Sequence, residues 1–379
     1  MDFLERPITL KLNHRVYFTR GAFASDNYVL GPLIEGKVLI FIDGGVAEAN
    51  PRLLHEIDLF FERRSGGSRL VGRPIVLPGG EACKNNWKLV EKIWASINDA
   101  GLDRHSTVLC IGGGAFLDLV GFAAATAHRG IRLVRLPTTT LSQGDGGVGV
   151  KNGVNYFAKK NWVGTFAIPW AVVNDFALLK TLPPREKRAG LIEGIKVSLL
   201  RDGRFFEDIE RRADMLAAFE PRAVEFVVRR CAELHLDHIA SGGDPFEHGS
   251  ARPLDFGHWV AHKMEPASGY RIGHGEAVAI GMAVDLVYAK RSGLLAATEC
   301  ERILRLMEKI GFGLYDEEIE RTESSGARLV LRGLEEFREH LGGELTITLV
   351  TGIGSHIEVH EMNTLLVLEA MAELRERAG

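Results

Sequence analysis

The sequence predicts an α/β protein of two domains, a Rossmann-like parallel-sheet domain over residues 1–182 and a mostly α-helical domain over residues 183–379. Three observations support this prediction. The chain of 379 residues is longer than a single hydrophobic core usually grows. Short β-branched runs alternate with helical patterns in the first half. After Pro183 and Pro184, apolar residues recur mainly at helical spacing, and we expect the active site in the cleft between the two domains.

Apolar, β-branched runs predict the buried strands of the sheet. These runs are 38–42, 75–77, 107–111 and 133–136. The segment 87–100 has apolar residues at helical spacing, and strands separated by helices are typical of a parallel sheet covered on both faces. In the second domain, 191–196 and 277–286 have helical spacing, whereas 345–350 predicts a late strand that a helical domain does not require.

Composition excludes several classes of function. A formal net charge of −4 argues against broad nucleic-acid binding, which needs a basic excess. The 4 cysteines lie far apart without a CxxC pair, so each is expected to be a reduced core thiol. We find no secretory signal and no apolar stretch of about 20 residues, the length of a membrane span. A cytoplasmic protein without a membrane partner is expected.

Two features of the first domain suit a dinucleotide. Gly112, Gly113 and Gly114 follow a predicted strand and precede a helix, where glycines let the backbone approach a pyrophosphate. They lack the full GxGxxG pattern, so a tight turn without a ligand explains them equally well. Asp43 ends another predicted strand, where a carboxylate can accept hydrogen bonds from a ribose, although such a residue is more often part of a turn.

The run 144–153 contains 5 glycines in 10 residues, which makes it costly to order. Asp145 and Lys151 lie within it, and Lys160 and Asn161 follow closely. A solvated charged loop would explain the lysines one at a time. The whole run is more typical of a segment that binds an anion.

Histidines in the second domain suggest a metal centre. His258 and His262 are four residues apart, so on a helix they share one face, and His274 precedes an apolar helix. Each alone is more often a solvated or core polar residue. Together with Glu193 they suggest a catalytic metal with an open coordination position, although spacing does not decide which histidines bind.

With these motifs the chain resembles the 3-dehydroquinate synthase superfamily, the sugar phosphate cyclases. The resemblance covers almost the whole chain. The segments that carry it are 78–84, 112–118, 128–130, 137–139, 145–155, 160–161, 190–196, 255–262 and 274–276.

The resemblance implies roles for individual residues. The implied metal ligands are Glu193, His258 and His274, with zinc or cobalt as the ion. The implied NAD+ site consists of Asp43, Glu81, Lys84, Gly113, Gly114, Asp118, Thr138, Thr139, Lys160, Thr181 and Leu182. The residues implied to bind the substrate and its phosphate are Asp145, Lys151, Asn161 and Lys196, with His262 in a supporting position. Arg129 would reach the phosphate in the neighbouring subunit, so a homodimer is implied.

The family's chemistry needs all of these groups at once. NAD+ oxidises a ring hydroxyl of a heptose phosphate, phosphate is eliminated, and the hydride returns before an intramolecular aldol addition closes a carbocycle. The resemblance therefore implies a phosphate-eliminating lyase with no net oxidation.

The chain departs from 3-dehydroquinate synthases where their substrate's carboxylate is bound. Counted back from the glycine-histidine motif, a family lysine falls at Asp237, and an asparagine is replaced by Asp255. The carboxylate-binding arginine would fall at Ala251, one place from Arg252, and His340 lies in the altered C-terminal element. Lost cations and added carboxylates disfavour a carboxylated substrate. The pattern resembles the 2-epi-5-epi-valiolone synthase-like cyclases, which act on sedoheptulose 7-phosphate.

Other functions remain open at this point. A 3-dehydroquinate synthase with an unusual pocket would use Arg252 in place of the shifted arginine. A metal-dependent polyol dehydrogenase would share the two-domain plan but needs no phosphate-binding segment. A relative without catalysis, acting as a binding protein, would not need Glu193, Lys151 and Lys196 together.

Overall fold

A computed structural model describes residues 3–8, 11–64, 67–157, 159–241, 253–324, 326–340 and 343–379, without the side chains of Pro253 and His340. The chain forms two compact units. The first unit comprises Met1–Thr138 and Gly149–Leu178, and the second comprises Thr139–Val148 and Leu179–Gly379. The predicted division into 1–182 and 183–379 therefore requires correction: the boundary lies at Leu178, and 139–148 belongs with the helical unit.

The first unit contains the strands β1 (Val16–Thr19), β2 (Gly36–Asp43), β3 (Ser68–Leu70), β4 (Ile75–Leu77), β5 (Thr107–Gly112), β6 (Arg132–Pro137), β7 (Lys151–Tyr156), β8 (Lys159–Phe166) and β9 (Ala171–Asp175). Its helices are α1 (Gly44–Ala49), α2 (Leu53–Glu62), α3 (Trp87–Asp99) and α4 (Gly114–Thr126). Strands β1-β9-β6-β5-β2-β3 form a parallel sheet in that order, with β4 also pairing with β2. Strands β7 and β8 form a separate antiparallel hairpin.

Helices cover both faces of the parallel sheet, because helical crossovers connect its strands. Alternate residues of β2 enter two different cores: Leu39 and Phe41 pack with α3 and α4, whereas Val38 and Ile40 pack with α2. Burial on both faces explains the continuous apolar runs in the sequence. The predicted strands at 38–42, 75–77, 107–111 and 133–136 are confirmed.

The second unit contains the helices α5 (Thr140–Gly144), α6 (Pro184–Arg201), α7 (Gly203–Arg211), α8 (Ala213–Ala217), α9 (Pro221–Ser241), α10 (His258–Ala267), α11 (His274–Arg291), α12 (Ala297–Ile310), α13 (Arg332–His340) and α14 (Thr364–Ala378). Strands β10 (Ile347–Gly352) and β11 (Ser355–Val359) form an antiparallel hairpin, which contains most of the predicted late strand. Helices α6 and α11 are central, since α6 is buried from Gly190 to Leu200 and α11 from Ala277 to Ala289.

Short polar contacts attach α5 to α6. Thr140 donates its hydroxyl hydrogen to the carbonyl oxygens of Glu186 and Lys187, at 2.9 and 3.0 Å, and accepts from the amide of Gly190 at 3.2 Å. A Cβ atom on Gly190 would lie only 2.3 Å from the α5 backbone, so glycine permits this close approach. These contacts explain why 139–148 belongs to the helical unit.

Two expectations from composition can be compared with the structure. All four cysteines are buried free thiols, as predicted. None of the described helices is long and apolar enough to cross a membrane.

Candidate metal centre and dinucleotide site

Three helices of the second unit each bring one ligand to a common point. Glu193 lies in the middle of α6, His258 begins α10 and His274 begins α11. One ligand atom from each lies within 4.8 Å of the others, with Glu193 and His258 buried and His274 half-buried. This arrangement suits a divalent metal ion held by one carboxylate and two imidazoles.

Hydrogen bonds orient both imidazoles for metal binding. The Nδ1 atom of His258 lies 3.1 Å from the carbonyl oxygen of Phe256, which only accepts, so Nδ1 carries the proton. The Nδ1 atom of His274 lies 2.8 Å from the buried carboxylate of Glu265 and donates in the same way. Burial, with help from Lys196 and the neighbouring histidines, lowers the pKa of His258 well below its ordinary value. With Nδ1 as the donor, the neutral form of each ring offers Nε2 to a metal.

Glu193 supplies the observation that tests whether a metal fits. One carboxylate oxygen, Oε2, lies 2.5 Å from the ammonium of Lys196, and both side chains are about 3% exposed. The other oxygen, Oε1, is buried without a hydrogen-bond partner among the described residues. A buried acceptor without a donor is costly, and a cation beside the two imidazoles would satisfy it.

Lys196 lies among several carboxylates. Burial alone would lower the pKa of its ammonium, but the charges of Glu193, Asp145 and Asp255 outweigh burial and raise it. Lys196 therefore remains positively charged. Asp145 and Asp255, both predicted for the substrate, thus act on the same ammonium as the metal ligand Glu193.

His235 is a site residue that sequence reasoning missed. Its Nδ1 atom lies 3.0 Å from the carboxylate of Asp145. Asp237, at which the sequence count placed a family lysine, is exposed two positions later on α9 and is not brought to Asp145 among the described contacts. Helix phase explains the difference, because His235 lies one turn after Cys231, which packs beside Gly144 next to Asp145. Helical spacing from Cys231 was the signal available in the sequence.

The other predicted substrate residues of this unit have these positions. His262 is exposed one turn after His258, with ring centroids 5.3 Å apart, and it is not in the group of converging ligand atoms. Asp255 is half-buried in a short 3-10 turn before α10. Arg252 lies outside the described residues, and His340 ends α13 with a side chain outside the described part.

A buried acid fixes the start of α10. Asp285 of α11 accepts from the indole nitrogen of Trp259 at 2.9 Å and from the amide of Gly257 at 3.0 Å, on either side of His258. Burial raises the pKa of Asp285 to about 7, although both hydrogen bonds oppose the shift. Gly257 has φ +78°, and a Cβ there would lie 2.6 Å from the amide nitrogen of Met282.

We expect Gly257→Ala to lower the free energy of unfolding by about 3–5 kcal/mol. The new Cβ would clash with the backbone of Met282, and an alanine would also be strained in the left-handed conformation that Gly257 adopts. It should also weaken zinc binding, since His258 follows directly. Gly269→Ala is the matched control, with φ +62° and nothing within 4 Å of its Cβ. It should cost only about 1–2 kcal/mol. Urea unfolding and zinc titration check both variants, and equal effects would contradict the steric argument.

In the first unit, the ends of parallel strands surround Asp43. Its carboxylate accepts from the amide of Gly45 at 2.9 Å. A Cβ on Gly79 would lie 2.0 Å from a carboxylate oxygen of Asp43, so glycine is required there. Burial raises the pKa of Asp43, while backbone amides, including those of Gly113 and Gly80, oppose the shift. The acid thus lies beside the glycine turn that begins α4, as an acceptor for a ribose would.

A second polar cluster joins three segments of this unit. The buried ammonium of Lys84 donates to Asp118 at 2.7 Å and also to the side-chain oxygen of Asn161. Burial raises the pKa of Asp118, and Lys84 opposes the shift. The amide of Asn161 donates to Asn155 at 2.8 Å, and Asn155 donates to Glu81 at 3.4 Å. Asn161, predicted for the substrate, therefore contacts the residues predicted for NAD+.

The remaining predicted residues divide between the units. Thr138 follows β6 and donates its amide to Gly112 at 3.0 Å, and Gly114 begins α4. Lys151 begins β7 and is exposed, whereas Lys160 is half-buried in β8. Arg129 is exposed, with φ +61°, at the end of a short 3-10 turn. The second unit holds Thr139, which caps α5, together with Thr181 and Leu182, which precede α6.

Comparison with known proteins connects these groups to a family. The family model described as 3-dehydroquinate synthase N-terminal matches residues 74–189, and the one described as 3-dehydroquinate synthase C-terminal matches residues 190–325. A 2-epi-5-epi-valiolone synthase of Streptomyces glaucescens is 34% identical over 371 residues, covering 97% of this chain and 92% of that protein.

Solved structures agree on the architecture. ValA, a 2-epi-5-epi-valiolone synthase from Streptomyces hygroscopicus subsp. jinggangensis 5008 with NAD+ and Zn2+ bound, has a TM-score of 0.87, 28% identity and coverage of 99% of this chain and 100% of that chain. A 2-deoxy-scyllo-inosose synthase with carbaglucose-6-phosphate, NAD+ and Co2+ has a TM-score of 0.75 at 21% identity, covering 94% and 96%, and shares the fold. The chain belongs to the 3-dehydroquinate synthase-like family of sugar phosphate cyclases.

Proposed function

We propose that the chain is an NAD+- and divalent-metal-dependent cyclase that converts a ketoheptose 7-phosphate, sedoheptulose 7-phosphate in particular, to a carbocycle with loss of phosphate. The choice of substrate rests on the excess of carboxylates over ammonium groups around Lys196 in the second unit. Three carboxylates, those of Glu193, Asp145 and Asp255, act on the single ammonium of Lys196. The two 2-epi-5-epi-valiolone synthases that resemble the chain along nearly its whole length support the same choice.

Glu193, His258 and His274 would hold the metal. One carboxylate and two imidazoles suit zinc, and cobalt fits the same ligands. The ion, when bound, supplies a Lewis acid that polarises a substrate oxygen. Glu265 would keep His274 in the binding tautomer, and the carbonyl of Phe256 would do the same for His258.

Asp43, Gly113 and the start of α4 would hold NAD+. The glycine turn presents backbone amides to a pyrophosphate, and Asp43 would accept from a ribose hydroxyl. NAD+, when bound, supplies a hydride acceptor that returns the hydride within the same turnover. Lys84 and Asp118 would complete this site as a fixed ion pair.

The chain's own cations would bind the phosphate until it leaves. Lys196 stays charged because the surrounding carboxylates raise its pKa, so it would stabilise the departing phosphate of the substrate. We propose the same function for Lys151, with Asn161 as a further substrate ligand. His262 would support proton transfer from its exposed position one turn after His258.

The charge balance of the second unit favours a neutral polyol at the far end of the substrate. One ammonium and one divalent ion are sufficient to neutralise the three carboxylates of Glu193, Asp145 and Asp255. A second anionic group on the substrate would add further negative charge near these three carboxylates. Like charges at a binding site cost several kcal/mol, which is enough to select one substrate over another.

The test compares phosphate release from two substrates by the purified enzyme with NAD+ and zinc. We expect kcat/KM to be at least about 100-fold higher for sedoheptulose 7-phosphate than for the carboxylated heptulosonate 7-phosphate. NMR of the product identifies the carbocycle and its stereochemistry. Faster turnover of the carboxylated sugar would identify a 3-dehydroquinate synthase instead, and net NADH formation from a simple polyol would identify a dehydrogenase.

We also propose a homodimer in which Arg129 of each chain serves the active site of its partner. Arg129 is exposed, and its side chain makes no hydrogen bond or ion pair within the described part of its own chain. The backbone of Arg129 has φ +61°, in the left-handed region. An exposed guanidinium suits a phosphate supplied by another subunit.

Mixed dimers test this arrangement. Arg129→Ala and Glu193→Gln enzymes should each be nearly inactive. When the two are mixed and allowed to exchange subunits, one site in each mixed dimer has both residues, so about a quarter of wild-type activity should return. Light scattering establishes the dimer independently. A mixture that stays inactive despite subunit exchange would rule out the shared site.

A further inference from the structure

Arg135 is a buried charge to which the reaction assigns no role. It lies in β6, in the middle of the parallel sheet, with 0% of its surface exposed. Its side chain lies on the face of the sheet that α4 covers, the same face on which the side chain of Leu133 is buried. Placing a guanidinium in an apolar core is costly unless its donors are satisfied.

Among the described contacts of the Arg135 guanidinium, three oxygens of one short segment, 149–152, accept its hydrogen bonds. One Nη atom donates to the carbonyl oxygen of Gly149 at 2.8 Å. The other donates to the carbonyl oxygen of Lys151 at 3.4 Å and to the side-chain oxygen of Asn152 at 2.5 Å. Asn152 in turn donates to the carbonyl oxygens of Val150 and Ala167, at 3.3 and 3.4 Å.

Helix α4 is shaped to admit this network. A Cβ on Gly121 would lie 1.9 Å from the side-chain oxygen of Asn152 and 3.4 Å from an Nη atom of Arg135. Any other residue at 121 would push Asn152 away from the guanidinium. Burial lowers the pKa of Arg135, and the charge of Asp118, one turn before Gly121, opposes the shift.

The segment that Arg135 holds needs an anchor. It belongs to the glycine-rich run 144–153, and glycine loses more conformational freedom on ordering than any other residue. Lys151 is exposed at the start of β7. Its carbonyl oxygen is bound directly by Arg135, which fixes the backbone from which the ammonium projects.

We infer that Arg135 is a positioning residue that holds the 149–152 segment so that Lys151 is preorganised for the substrate phosphate. The inference rests on the proposed role of Lys151 in phosphate binding. A ligand group displaced by about 1 Å can cost a factor of about 100 in rate, so a buried anchor of this kind has a measurable effect on catalysis.

The test uses Arg135→Met with Leu133→Ala as the matched control, since Leu133 lies two residues earlier on the same strand face and takes no part in the segment's side-chain hydrogen bonds. Both variants should lower the melting temperature. Arg135→Met should lower kcat/KM for the heptose phosphate about 30- to 100-fold, mainly through KM, with the Kd for NAD+ within about twofold of wild type. Leu133→Ala should keep kcat/KM within about threefold.

A double-mutant cycle separates positioning from general destabilisation. In a Lys151→Ala background, Arg135→Met should change kcat/KM by less than about threefold, because the residue it positions is already gone. A full additional loss in that background would overturn the inference. A tenfold weaker Kd for NAD+ in Arg135→Met would also overturn it, since the guanidinium would then serve Asp118.

Hydrogen exchange tests the anchor without any assumption about the substrate. Backbone amides of 149–152 should exchange faster in Arg135→Met than in Leu133→Ala, and unchanged exchange would refute the anchor even if the cyclase proposal holds. If the enzyme turns over no heptose phosphate, the proposed function fails while this comparison still decides the role of Arg135. Should Arg135→Met not fold, Asn152→Ala removes one acceptor and should give a smaller change in the same direction.

Discussion

Glu193→Gln is expected to lower turnover by about 1,000-fold or more while the fold is retained. The amide keeps an oxygen that accepts from the ammonium of Lys196, and the carboxylates of Asp145 and Asp255 still act on that ammonium. It removes the one anionic ligand of the metal group, whose free oxygen is buried without a hydrogen-bond partner among the described residues. Changes to residues that merely orient a ligand cost about 10- to 100-fold, so losing a ligand should cost more.

Metal content after dialysis and phosphate release from the heptose phosphate together check this prediction. Glu265→Gln is the graded control, because it alters the partner of His274 and leaves all three ligands in place. It should weaken zinc binding about 10- to 100-fold. A Glu193→Gln enzyme that retained both zinc and turnover would show that the converging residues are not the metal site.

Lys196→Met is expected to destabilise the metal-free protein by about 3–5 kcal/mol, and zinc should restore much of that loss. Without the ammonium, the carboxylate of Glu193 is buried with no compensating charge. A divalent ion beside Glu193 provides that charge, so the variant should depend on zinc far more than the wild type does. Turnover should still fall about 100- to 1,000-fold, because the phosphate loses its cation.

Urea unfolding with added zinc and with a chelator measures this dependence. The matched control is Lys263→Met, which removes a partly exposed lysine paired with Glu336 on the surface. It should change the free energy of unfolding by at most about 1 kcal/mol, with or without zinc. Equal stability of metal-free wild type and Lys196→Met would contradict the account of a buried, compensated carboxylate.

The sheet was predictable because burial on both faces leaves continuous apolar runs such as 38–42 and 107–111. Strands such as β1 and β3 were not predicted, since each is short and only partly buried. The assignment of residues 139–148 to the helical unit also could not be predicted from local sequence patterns. It depends on contacts between Thr140 and a helix that begins more than forty residues later.

The site shows a similar division between residue type and geometry. Sequence identified the histidines and Glu193 as candidates, but helical spacing paired His258 with His262. The family resemblance selected Glu193, His258 and His274, and the structure brings ligand atoms of these three residues within 4.8 Å of one another, although His258 also lies beside His262. No partner for Asp145 was predicted, whereas the structure places the Nδ1 atom of His235 3.0 Å from its carboxylate. The burial of Arg135 could not be predicted, since the sequence of β6 contains no local pattern that indicates a fully buried guanidinium.

The chain passes between the two units after Thr138, after Val148 and after Leu178, which limits how such proteins can be recombined. A single crossover at Leu178 would join a foreign α6 and α9 to the resident α5, whose contact with Gly190 leaves no room for a side chain. A functional chimaera therefore needs three junctions, with 139–148 inherited together with the helical unit. During synthesis, α5 likewise leaves the ribosome well before the helices that it packs against.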